Sequence, residues 1–188
     1  MILRFKKQAV LIVQPALFWY RRSMDLKTWI RDIPNFPKEG ILFRDITPLL
    51  KNPQALEHIA HKLVEKTDLS RIDYFAGIES RGFILAMLLA TTHGKGFLPI
   101  RKAGKLPPPT VKTSYSLEYG EAAVELNPGQ GNIMVIDDVL ATGGTLSAAI
   151  EVSQKAGYTV QDVAVLIDLP FLNELKFHGR RIHSLVQY

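Results

Sequence analysis

The segment Ile133–Thr145, IMVIDDVLATGGT, constrains the fold of this chain more than any other. Ile133, Met134, Val135 and Ile136 form an apolar run short enough for a buried strand, and two carboxylates, Asp137 and Asp138, follow at once. A small-residue turn, Ala141-Thr142-Gly143-Gly144-Thr145, then enters LSAAIEVSQKAG, which has the apolar spacing of a helix. Strand, acidic pair, glycine turn and helix in that order predict an anion cradle. Gly143 and Gly144 let main-chain N–H groups approach a phosphate, and the helix N-terminus adds its positive dipole end. The carboxylates repel a phosphate but suit neutral hydroxyl groups one sugar-length away, such as a ribose diol. Phosphate at one end and diol acceptors at the other predict a ribose-5-phosphate site. The segment lacks the lysine of a Walker loop and is not GxGxxG.

From Met24 onward the chain alternates helical and strand patterns. Asp25–Arg31 reads as a short helix ended by Pro34, then a loop at Phe36–Gly40 and the run Ile41–Asp45. Pro53–Asp68 reads as an amphipathic helix with Leu56, Ile59, Ala60, Leu63 and Val64 on one stripe. Tyr74–Ile78 is predicted as a strand, Arg81–His93 as an apolar helix with Phe83 and Met87 in the core, and Gly96–Arg101 as a strand. The pattern then fails over residues 102–121, which carry Pro107-Pro108-Pro109 and little core material, and which predict a lid. Ala122–Leu126, Asn132–Ile136, Val160–Asp168 and Ile182–Gln187 supply further strands. The alternation predicts an α/β single domain with a mostly parallel central sheet flanked by helices, and ligands at the strands' C-terminal ends.

Charge excludes some partners. The net charge is +5 over 188 residues, and Arg4, Lys6, Lys7, Arg21 and Arg22, with no acid among residues 1–23, account for all of it. The neutral remainder shows no bias toward nucleic acid. The apolar parts of residues 1–23 are too short and too broken by Pro15 to span a bilayer. That segment reads as a non-catalytic extension or a misassigned start, with a presequence as the alternative, and Met24 opens the domain. The absence of cysteine excludes thiol chemistry and fits a reducing cytoplasm. His58 and His61 read as solvated, without a third metal ligand nearby.

Gly77–Phe83, GIESRGF, is a second strand running into a turn and helix. On residues alone Arg81 reads first as a helix-end surface charge; beside a ribose-phosphate site, Ser80, the turn amides and Arg81 suit a second polyanion. Arg101, Lys102 and Lys105 at the lid entrance suit phosphate oxygens or form a solvated charge run.

VIDDVLATGGT resembles the 5-phosphoribosyl-1-pyrophosphate (PRPP) motif of type I phosphoribosyltransferases. FPKEGILFRDITPLL, IESRGF, IRKAGKLPPPT with SYSLEYG, and that motif occur in order, and together they resemble the adenine phosphoribosyltransferase family over nearly all of residues 24–188. The resemblance implies a type I fold with a small N-terminal hood and a flexible lid. It implies purine salvage: transfer of phosphoribosyl from PRPP to adenine N9, giving AMP and pyrophosphate with Mg²⁺ held mainly through the substrate, in a cytoplasmic homodimer. PRPP and AMP contacts are expected from Asp137, Asp138, Ala141, Thr142, Gly143, Gly144, Thr145, Ser80, Arg101, Lys102, Lys105 and Tyr119. The base is expected between Leu42, Phe43, Arg44 and Leu169. A related transferase for another purine, and a PRPP-sensing regulator, are the rival readings. The segment FRD and LEYG argue against the first, and 23 residues leave no room for a DNA-binding module in the second.

Departure of pyrophosphate leaves positive charge on the ribose ring, which a lid over residues 102–120 must shield from water. Arg81, the expected catalytic cation, together with Arg101 and Lys105, is expected to steady the departing group. Adenine N9 becomes nucleophilic as a ring proton leaves, so a carboxylate is wanted near the purine. Glu118 in the lid is the leading candidate, with Tyr119 beside it, and Asp168 at a strand end is its rival.

Overall fold

The computed structural model describes residues 24–117 and 120–188. Glu118, Tyr119 and residues 1–23, on which the lid carboxylate, its tyrosine and the extension were read, lie outside them.

Instead of the short helix read over Asp25–Arg31, the chain makes one 3-10 turn, Leu26–Trp29. It then enters strand β1 (Arg31–Pro34), which pairs antiparallel with β2 (Leu42–Asp45). An ion pair between Arg31 and Asp45, at 2.7 Å, ties the two strands. Helix α1 (Thr47–Leu50) follows, and then α2 (Pro53–Lys62), whose first amides are capped by the Asn52 side chain. The predicted helix to Asp68 therefore stops at Lys62. Leu63 and Val64 stay buried beyond it, and Thr67 turns its hydroxyl to the Asp162 carboxylate. His58 is not solvated: it is buried on the inner face of α2, and that burial lowers its pKa and favours the neutral ring. His61 stacks edge-on against His93.

The central sheet follows from the apolar runs. In chain order its strands are β3 (Tyr74–Ile78), β4 (Gly96–Lys102), β5 (Val111–Leu117), β6 (Gly120–Leu126), β7 (Gly131–Leu140), β8 (Tyr158–Asp168) and β11 (His183–Gln187). In space they run β11-β8-β7-β3-β4-β6-β5. The first five in that order are parallel, and β6 and β5 add antiparallel. A small hairpin, β9 (Lys176–Phe177) with β10 (Arg180–Arg181), stands before the last strand.

Parallel strands are buried on both faces, and their alternate side chains divide between two cores. Phe75, Met134, Ile136, Ala164 and Leu166 pack under α2 and under α3 (Arg81–His93). Ala76, Ile133, Val135, Val163 and Val165 pack under α4 (Gly144–Lys155) on the other face. Ile84 and Met87, by contrast, lie on the outer face of α3 and are exposed, so Met87 is not core.

The stretch read as irregular over 102–121 is largely a hairpin. Residues 103–110 carry the prolines, after which β5 pairs with β6 from Val111↔Leu126 to Leu117↔Gly120. Val111, Thr113 and Tyr115 face inward, and Lys112 and Ser114 outward. This period-two pattern was masked by its polar half.

Candidate active site

β3 is followed by α3 and then β4 on one side; β7 is followed by α4 and then β8 on the other. The two helices leave toward opposite faces, so a crevice opens between the C-terminal ends of β3 and β7. Open parallel sheets bind ligands at such a switch point. Two glycines bring its walls together. A Cβ on Gly77 would stand 2.7 Å from the Gly82 carbonyl oxygen, and one on Gly82 2.8 Å from that of Ile136 and 3.0 Å from Asp137 Oδ1. Gly82 thus serves the approach of α3 to β7, which carries Arg81 to the acidic pair.

Arg81 Nε lies 2.8 Å from Asp138 Oδ2. Its Nη1 donates to the Arg44 carbonyl at 3.3 Å, and its guanidinium sits 4.8 Å from the centre of the Phe43 ring. Burial and the charge of Asp138 push the Asp137 carboxyl well above the usual carboxylate range. Burial also raises Asp138, against the pull of Arg81. Asp138 Oδ2 is buried with no aligned hydrogen-bond donor despite its ionic contact, so it retains capacity for an incoming hydroxyl or a cation.

A cavity of about 620 Å³ fills the crevice, lined among others by Glu79, Ser80, Arg81, Lys102, Tyr115, Asp137, Asp138, Ala141 and Thr145. A smaller one of about 80 Å³ adjoins it, lined by Asp137, Ala141, Thr142, Gly143 and Thr145. Gly143 has φ +89°, a left-handed conformation that glycine adopts at little cost. Its turn opens into α4, whose first residue is Gly144. Of the predicted residues, Ser80, Arg81, Lys102, Asp137, Asp138, Ala141 and Thr145 line the larger cavity, Asp137, Ala141, Thr142, Gly143 and Thr145 the smaller, and Gly144 neither.

The other predicted residues lie around it. Arg101 does not line the cavity; its guanidinium holds Glu79 at 3.1 and 3.3 Å and keeps that carboxyl below its usual range. Lys105 is exposed, outside the lining residues. Phe43 packs edge-on against Phe36, and Leu42 is exposed. The Arg44 side chain turns away to Asp32 and stacks 3.6 Å from the Tyr188 ring centre, leaving its carbonyl toward Arg81. Leu169 belongs to the core under α3. Asp168 is fully buried, with Oδ1 accepting from Asn173 and Oδ2 from Arg181.

Sequence reasoning missed Glu125. This carboxylate on β6 is 1 % exposed and accepts from the main-chain N–H groups of Lys105 and Leu106 at 2.6 and 2.7 Å. Burial works to raise its pKa, but the N–H donors of Leu106, Gly104 and Lys105 outweigh it and hold the group low. Its partners lie some twenty residues away, so only strand pairing discloses it.

Among the described residues no three His, Asp or Glu side chains gather to hold a metal ion, and no helix is long and apolar enough to cross a membrane.

Residues 45–176 match the family model of the phosphoribosyl transferase domain. The chain is 62 % identical over 165 residues to the adenine phosphoribosyltransferase of Bdellovibrio bacteriovorus, covering 88 % of this chain and 100 % of that one. The crystal structure of adenine phosphoribosyltransferase from Rhodothermus marinus superimposes with a TM-score of 0.77 at 40 % identity, over 87 % of this chain and 96 % of that one. The Giardia lamblia APRTase, solved with 9-deazaadenine, gives a TM-score of 0.76 at 34 % identity, over 88 % and 99 %.

Proposed function

This chain belongs to the adenine phosphoribosyltransferase family, and from that premise we propose how its crevice carries out the family's reaction. The enzyme acts in purine salvage, transferring the 5-phosphoribosyl group from PRPP to adenine N9 and releasing AMP and pyrophosphate.

The observation that carries the site assignment is the pair of adjoining cavities at the β3/β7 switch point, one walled by a glycine turn and the other by two carboxylates facing Arg81. The 5′-phosphate occupies the smaller cavity, bound by the amides and hydroxyls of Ala141–Thr145. Asp137 and Asp138 accept from the ribose 2′- and 3′-hydroxyls. Hydroxyl donors suit carboxyls whose burial already disfavours charge, and ligand binding replaces water there with fixed partners. Pyrophosphate lies toward Ser80, Arg81 and Lys102, whose donors steady the charge that grows as the C1′–O bond breaks. Arg101, Lys105 and Glu118 act from the lid side, with Glu118 taking the proton that leaves adenine.

The purine lies toward Phe43, the Arg44 main chain and Leu169, with Tyr119 closing over it. The Giardia lamblia relative solved with 9-deazaadenine supports an adenine-shaped subsite in this family. The carboxylates fit a divalent ion that arrives with its remaining oxygens on PRPP, because Asp138 Oδ2 keeps acceptor capacity. Asp137 and Asp138 would hold such an ion, and Mg²⁺ there would neutralise negative charge on the pyrophosphate. A cytoplasmic homodimer completes the proposal, in keeping with a neutral body and no cysteine.

The test is incubation with PRPP, Mg²⁺ and adenine, hypoxanthine, guanine or xanthine in turn. AMP and pyrophosphate from adenine, with little nucleotide from the others, is the expected result. Preference for another purine overturns the base assignment.

A further inference from the structure

Asn173 lines neither cavity, yet it is bonded to both sides of the site. Its side chain is 9 % exposed. Nδ2 faces the Ala141 carbonyl at 2.9 Å, the Leu169 carbonyl at 3.0 Å and Asp168 Oδ1 at 3.1 Å. Oδ1 accepts from the Leu175 N–H at 3.2 Å. Carbonyls only accept and main-chain N–H groups only donate, so these partners fix which way the amide faces. Arg181 holds the other oxygen of Asp168 at 3.2 Å.

A trans peptide points its C=O and N–H in opposite directions. The Ala141–Thr142 peptide is not among the cis bonds, so holding the Ala141 carbonyl from below turns the Thr142 N–H to the opposite side. Ala141 and Thr142 both line the small cavity, and the Thr142 N–H has no bond to a described residue. The same segment props the turn again one residue on. Leu175, whose N–H Asn173 accepts, would lie 3.4 Å from a Cβ on Gly143.

We propose that Asn173 is a positioning residue for the phosphate turn: it holds the Ala141 carbonyl and so aims the Thr142 amide at the 5′-phosphate. The inference rests on the small cavity being the phosphate site. An amide already aimed needs no reorganisation when the anion arrives, which favours binding. Asp168 and Arg181 serve this device by holding Asn173, and the Leu169 carbonyl links it to the purine side.

The experiment compares AMP with adenosine, which lacks only the 5′-phosphate, by calorimetric titration of the full chain and its Asn173→Leu and Thr145→Val variants. Asn173→Leu keeps the side chain's bulk but removes both donors. It is expected to weaken AMP about 10-fold, the scale of one hydrogen bond to a charged group, and to leave adenosine within about twofold. Equal losses for both ligands, or no loss for AMP, overturn the proposal. Thr145→Val separates this from the underlying reading. If it weakens AMP and Asn173→Leu does not, the cradle stands and Asn173 has no such role; if neither weakens AMP, the cradle itself is misplaced. Should Asn173→Leu not fold, Asn173→Ala carries the same expectation and the same refuting outcomes.

Discussion

The guanidinium of Arg81, at the start of α3, and the carboxylate of Asp138, at the end of β7, face each other at 2.8 Å across the switch crevice. Each balances the other's charge, and in the proposed complex the ribose hydroxyls would turn to the acid and the pyrophosphate to the cation.

Asp138→Asn is expected to lower kcat/KM by ~10²-fold, the scale of losing a charged contact to the transition state. Arg81→Gln should do at least as much. Because the two act through one another, the double variant should lose less than the product of the single losses. Steady-state kinetics of the four proteins checks this, and strictly multiplicative losses refute the coupling.

Asp137 is held at a cost to the fold. Its carboxyl is pushed well up by burial and by Asp138, so the folded state binds that proton more tightly than the unfolded chain does. The contribution to stability is therefore greatest at low pH and declines as pH rises from the ordinary carboxylate range toward the raised value. Asp137→Asn should abolish this decline and raise Tm at pH 7.5 by about 2–4 °C, roughly 1 kcal/mol for a chain of this size, while activity falls ~10²-fold. Melting curves from pH 4 to 8 decide it; an unchanged or lower Tm at pH 7.5 counts against the account.

Of the two candidate proton acceptors, Asp168 is the one whose geometry is described. Asp168 is fully buried and both its oxygens are engaged, by Asn173 and Arg181. Asp168→Asn should therefore act chiefly on stability and phosphate affinity, with kcat changed by less than about tenfold. Glu118→Gln should lower kcat by roughly 10²-fold at saturating PRPP and adenine, the usual effect of losing a general base. The reverse pattern would make Asp168 the base.

Acid should loosen the β1–β2 hairpin. The Thr47 hydroxyl and main-chain N–H, and then Arg31, hold the Asp45 carboxyl at about 2. A lowered folded pKa means that the stabilisation is complete above the unfolded value near 4 and is lost as pH falls toward 2. Asp45→Asn should flatten that limb in urea-midpoint measurements from pH 5 to 2. An acid limb as steep as that of the unsubstituted protein would show that Asp45 does not contribute to it.

What the sequence determined by itself is carried by contiguous residues. Ile133–Ile136, Asp137-Asp138 and the Thr142–Thr145 turn declare strand, acid pair and glycine-led helix start in a single stretch, because strand period, glycine freedom and helix start are local properties. Tyr74–Ile78 and Arg81–His93 were legible to the residue for the same reason. What tertiary structure alone decided depends on residues distant in the chain. β5 looked irregular because its polar half is legitimate only beside β6, and the helix read at Asp25–Arg31 is cut to a 3-10 turn because Arg31 enters the pairing of β1 with β2. His58 and Met87 exchanged their expected burial because a helix's own pattern does not say which of its faces a sheet covers. Asn173 bonds the carbonyl of Ala141, 32 residues earlier, and Glu125 the amides of Lys105 and Leu106, and neither has a local signature. A buried polar group is dictated by the partner it must satisfy, and that partner is supplied by the fold.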